Sequence, residues 1–129
     1  MFKTTLLAFA TALALSLSTL AADAGGKIKG AFVGASDHIT TGNVIIEKRG
    51  DGYVAILDEA FTLDGAPDPR VAFGNDGDVS GAVFAKLKSK TGKQEYAIPA
   101  NINPANFNEF HIWCSKFSVP LGIAKLSSK

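Results

Sequence analysis

From residue 27 onward the chain alternates apolar and polar positions in short runs, each closed by glycine, proline, asparagine or aspartate. That period of two belongs to a strand, whose successive side chains point to opposite faces. Residues 27–33 carry Ile28, Gly30 and Phe32 on one parity, and residues 40–47 are short and β-branched. Arg49-Gly50-Asp51-Gly52 reads as a hairpin turn, with residues 53–57 as the return strand. After the proline-interrupted stretch Asp64-Gly65-Ala66-Pro67-Asp68-Pro69 come predicted strands at 71–73, 79–87 and 94–98. A single helical turn at 103–106 follows, with Pro104 in its first position. Strand 110–117, a turn at 120–122 and a closing strand at 123–126 complete the pattern. About eight short strands with turn signals between them, and no long amphipathic helix, predict an all-β fold. The expected architecture is an antiparallel β-sandwich or flattened barrel.

The first residues follow another pattern. Lys3 precedes an apolar run from Leu6 to Leu17, and small residues come after it. The run falls well short of the roughly 20 residues that span a bilayer. It therefore reads as a cleavable signal peptide over residues 1–24, cut after Ala21 or Ala24. No twin arginine precedes the run, which points to the general secretory route, and no cysteine stands at the cleavage site to take a lipid anchor. The expectation is a periplasmic or secreted protein with one domain over residues 25–129 and no membrane span after cleavage.

Charge and cysteine count narrow the classes. The formal charge is +1 with no basic run, which argues against a nucleic-acid partner. About 105 residues can bury over half of their unfolded surface, enough for a core without staples. Cys114 is the only cysteine, so no intramolecular disulfide forms. One cysteine also excludes c-type haem attachment and any four-thiolate zinc or iron–sulfur site within one chain. No glycine-rich phosphate loop, nucleophile elbow or paired metal-binding histidines occur.

The stretch 110–119, Phe-His-Ile-Trp-Cys-Ser-Lys-Phe-Ser-Val, holds Cys114, the only tryptophan (Trp113) and one of two histidines (His111). Strand parity places Phe110, Ile112 and Cys114 on one face, and His111, Trp113, Ser115 and Phe117 on the other. Cys114 then lies in an apolar layer, where burial disfavours the thiolate unless a cation or metal compensates. His111, facing away, cannot serve it as a catalytic base. His111 reads as a half-exposed sheet residue, and His38 as a turn residue. Trp113 and Phe117 read as core aromatics, with a stacking patch as the alternative. Blue copper needs two histidines, a cysteine and usually a methionine, but the only methionine is Met1. Asp64, Asp68, Asn75, Asp76 and Asp78 match no calcium-loop spacing and read as turn formers.

Four segments occur in a telling order: His38-Ile39-Thr40-Thr41-Gly42, Gly65-Ala66-Pro67-Asp68, Gly92-Lys93-Gln94-Glu95-Tyr96-Ala97-Ile98-Pro99, and Ile112-Trp113-Cys114-Ser115-Lys116-Phe117-Ser118-Val119. Together they resemble the DM-thirteen domain, which accompanies DOMON domains in larger proteins and stands alone in bacteria. The resemblance implies a β-rich electron-transfer domain in which Cys114 works as a bare redox thiol or as a haem ligand. If haem is the cofactor, Cys114 and His38 are the candidate ligands, since parity sets His111 on the wrong face. The second reading is a non-catalytic periplasmic binding or structural module with Cys114 buried in the core. A third reading is a stand-alone partner for envelope redox proteins, met through residues 67–70, and no stand-alone catalytic activity is expected. Where many members run Gly-Pro-Asp-Leu, this chain has Gly65-Ala66-Pro67-Asp68-Pro69-Arg70, a change expected to alter that loop and not the cysteine strand.

Overall fold

A computed structural model describes residues 27–128; the signal peptide and cleavage sites expected from the sequence lie outside them. The strands are β1 (Lys27–Gly34), β2 (Thr40–Thr41), β3 (Asn43–Arg49), β4 (Gly52–Leu57) and β5 (Thr62–Leu63), then β6 (Pro69–Gly74), β7 (Val83–Lys86), β8 (Gln94–Ile98), β9 (Glu109–Cys114) and β10 (Val119–Lys125). Eight of them form one antiparallel sheet in the order β7-β6-β9-β10-β1-β3-β4-β8, while β2 and β5 pair separately. The sheet curls until its two edges meet: the Lys88 N–H, just past β7, donates to Tyr96 Oη on β8 at 2.8 Å. The fold is the all-β, nearly closed antiparallel arrangement that the alternating pattern predicts.

Alternation decides what lies inside. Phe32, Val44, Ile46, Leu57, Phe61, Val71, Phe73, Phe110, Ile112 and Leu121 form one continuous core, removed from water by the curl of the sheet. Edge-to-face contacts knit its aromatic rings, with Phe73 and Phe110 centred 5.1 Å apart and Phe32 and Phe61 5.6 Å apart. The β3–β4 hairpin turns on Gly50 and Asp51, where Gly50 supplies a φ of 63°. Pro104 opens a 3-10 turn (Pro104–Asn106) whose first free N–H, on Ala105, is taken by Asn103 Oδ1.

Three expectations need correction. The strand foreseen at 40–47 is divided at Gly42, whose φ is 95° and where a Cβ would stand 2.5 Å from the Phe61 backbone. The strand foreseen at 79–87 shrinks to β7. Asp78 Oδ1 accepts from both the N–H and the hydroxyl of Ser80, and the Ala82 N–H donates to Val79 O, so local turns win over the ladder. Residues 120–122 are no turn: they lie within β10. The chain reverses earlier, over 115–118, with Ser118 at a φ of 54°. Pro120 is tolerated because the β9–β10 register shifts between Pro120 and Gly122, a bulge that spares the missing N–H.

Candidate functional site

β9 lies between β6 and β10, which gives every residue on it two cross-strand neighbours. Cys114 faces inward, only 1% exposed and part of the apolar core with Phe110 and Ile112. It is the last residue of its strand, paired in register with Pro69 on one side and Val119 on the other. Both partners are half-buried, and the residues beyond them, Lys116, Phe117 and Ser118, are exposed. Phe117 is 61% exposed, so it belongs to the turn and not to the strand or the core. Cys114 therefore lies at the end of β9, directly before the exposed 115–118 turn, with its side chain in the core.

The loop before β6 meets this end of β9. Asp68 O accepts the Ser115 N–H at 3.0 Å, and the Asp68 carboxylate holds Arg70 Nε at 2.9 Å. The altered segment Ala66 to Arg70 thus does reach the cysteine strand, contrary to expectation, because Pro69 stands directly opposite Cys114. Haem does not fit the residues as folded. A macrocycle needs an open face beside the thiolate, and Cys114 is sealed in a close-packed apolar layer.

His38 lies in the loop between β1 and β2, with its Nδ1 2.8 Å from Asp64 Oδ1. Asp64 Oδ2 accepts the Ile39 N–H at 3.0 Å, so one carboxylate clips the 36–39 turn to the loop after β5. The hydrogen bond from His38, then that from Ile39, hold Asp64 below the usual carboxylate range. No hydrogen bond links Cys114 to either histidine among the described residues.

His111 overturns its reading as a half-exposed residue: it is fully buried. It faces outward from the sheet, in register with Ala72 and Ile123, and is covered by nonlocal chain. Its Nε2 lies 2.8 Å from Glu109 Oε1, which also accepts the Gly77 N–H at 2.8 Å. Gly74 makes room for the pair, since a Cβ there would stand 2.8 Å from Nε2. Nε2 is the ring nitrogen that meets Glu109, which leaves Nδ1 as the other one. Nδ1 has no hydrogen-bond partner among the described residues, although the ring is wholly buried. Such an orphan costs about 1–3 kcal/mol. Sequence reasoning missed Glu109; the signal was its spacing of two from His111, which puts both on one face of β9.

The turn acids are taken up by hydrogen bonds and an ion pair. Asp78 binds Ser80, Asp76 binds Asn108 and Asp68 binds Arg70. Among the described residues no group of three or more His, Cys, Asp or Glu side chains is placed to hold a metal ion. No helix among them is long and apolar enough to cross a membrane.

Searches of the curated proteins and of the solved structures find no match. The family model described as "Electron transfer DM13" matches residues 31–126, from β1 through the end of β10. That span takes in every strand of the sheet, Cys114 and the Glu109–His111 pair. The chain belongs to the DM-thirteen electron-transfer family.

Proposed function

We propose that the protein is an exported electron-transfer domain whose redox group is the Cys114 thiol. One observation carries this reading: the only cysteine of an electron-transfer family member is the last residue of its strand, directly before the exposed 115–118 turn and in register with Pro69. A short turn with a left-handed Ser118 opens at less cost than the sheet, because local unfolding draws on segments with few buried contacts. The partner is a disulfide-bearing protein of the cell envelope. On opening, Cys114 loses its proton to solvent and its sulfur bonds to one partner sulfur. The partner S–S bond breaks, and the second partner sulfur leaves as a thiolate carrying the electron pair.

Incubating the folded protein with glutathione disulfide and measuring its intact mass tests this reading. A single adduct on Cys114 is expected; an unmodified folded protein contradicts it. A second reading rests on the 1% exposure of Cys114: an inert core thiol in a binding or structural module. Under it, Cys114→Ala matches the wild type in every redox assay.

A further inference from the structure

The loop between β5 and β6, residues 64–68, is tied down at its two ends. At its start, the Asp64 N–H donates to Ile39 O at 3.1 Å, Asp64 Oδ2 accepts the Ile39 N–H at 3.0 Å, and Asp64 Oδ1 lies 2.8 Å from His38 Nδ1. At its end, Asp68 O accepts the N–H of Ser115, the residue after Cys114. Between these ties, Gly65, Ala66 and Pro67 make no hydrogen bond among the described residues. Ala66 packs on the apolar core, as does Val119, the cross-strand partner of Cys114.

The turn that carries His38 is the fixed side of the first tie. The Ala35 N–H before it and Thr40 Oγ1 after it both donate to Leu121 O on β10, and the His38 N–H donates to Ala35 O. Ser36 and Asp37 are both left-handed, with φ of 54° and 65°, a backbone that such residues keep only where the surroundings hold it. Hydrogen bonds from His38 and then Ile39 hold Asp64 below the usual carboxylate range, so the carboxylate is ionised and Nδ1 donates.

We propose that His38 and Asp64 are positioning residues, a latch that holds the 64–68 loop against the end of β9 and keeps Asp68 O on the Ser115 N–H. Once the Asp64 end is loosened, residues 65–67 have no hydrogen bond to arrest them, and the Asp68–Ser115 contact is the next to give. The consequence for chemistry rests on the redox reading above: with Cys114 as the working thiol, the latch sets how often the end of β9 opens to release it.

Amide hydrogen exchange of the ¹⁵N-labelled wild type, His38→Ala and His38→Asn, each without denaturant, tests the latch. His38→Ala should speed exchange at Ile39 and Ser115 by about tenfold, the worth of a hydrogen bond to a charged acceptor. Ala55, in the middle of β4, should keep its rate. His38→Asn returns a side-chain N–H close to the place of Nδ1 and should bring Ser115 most of the way back. An unchanged Ser115 rate in His38→Ala, an equal acceleration at Ala55, or no recovery in His38→Asn would each overturn the proposal. Iodoacetamide labelling of Cys114 in the same three proteins tells its failure from that of the redox reading. Labelling that follows the Ser115 rate supports both; constant labelling while Ser115 accelerates supports the latch and contradicts the redox reading.

Discussion

His111 and Cys114 stand three residues apart on one strand and are both withdrawn from water, yet they face opposite layers of the sheet. Cys114 looks into the apolar core, whereas His111 looks out and is sealed by the Gly74–Gly77 segment through Glu109. The proposed redox thiol and the buried dyad are therefore two separate features, carried back to back by β9.

The inward position of Cys114 dictates how it should be replaced. A serine hydroxyl there would lie among apolar side chains without a partner, costing about 1–3 kcal/mol. Alanine leaves only a small cavity and should cost about 1 kcal/mol. Urea denaturation should thus rank Cys114→Ala above Cys114→Ser. The reverse order would mean that the thiol has a polar neighbour.

The Glu109–His111 pair should be costly to break from one side. His111→Ala empties a buried site and leaves the carboxylate with the Gly77 N–H alone, so it should cost on the order of 3 kcal/mol. Glu109→Gln keeps an oxygen for both donors and should cost about 1 kcal/mol. Equal losses for the two variants in chemical denaturation would show that packing, not pairing, holds this region.

Gly74 should accept no side chain while His111 is present. Gly74→Ala places a Cβ 2.8 Å from His111 Nε2, an overpacking worth about 1–3 kcal/mol. The imidazole cannot swing away without losing Glu109. A double-mutant cycle with a smaller residue at position 111 should recover most of the loss. No recovery would place the strain elsewhere.

Much of this could be read from the sequence because strand alternation is local. The parity that separates Cys114 from His111, the β3–β4 hairpin at Gly50, and the Pro104 turn all follow from residues within one turn or strand. What failed was nonlocal. Nothing near His111 announces that a segment starting at Gly74 will cover it, and Glu109 lay one residue before the foreseen strand start. Pro120 looked like a strand breaker because the bulge that accommodates it depends on pairing with β9. Likewise, Pro69 was assigned to a loop, yet register makes it a cross-strand partner of Cys114.

Acid should erase one local contribution in a predictable sense. The side-chain and backbone hydrogen bonds from Ser80 hold Asp78 below the usual carboxylate range. Its folded pKa lies below its unfolded one, so the unfolded chain binds more protons between them. The stabilisation is complete above the unfolded value and is lost as pH falls through the folded one. Asp78→Asn should therefore destabilise by a constant amount above the usual carboxylate range, with the difference lost as pH falls through the folded value. A difference that grows on acidification would contradict that sign.

The central claim, a usable thiol directly before one exposed turn, is tested most directly by the rate of Cys114 labelling in the native state at increasing urea. If opening of residues 115–118 exposes it, the rate stays nearly flat at low urea and rises only when global unfolding takes over. A labelling free energy that falls from the first addition of urea, with the slope of global unfolding, would mean that Cys114 is reached only by unfolding the protein, and the redox reading would fail.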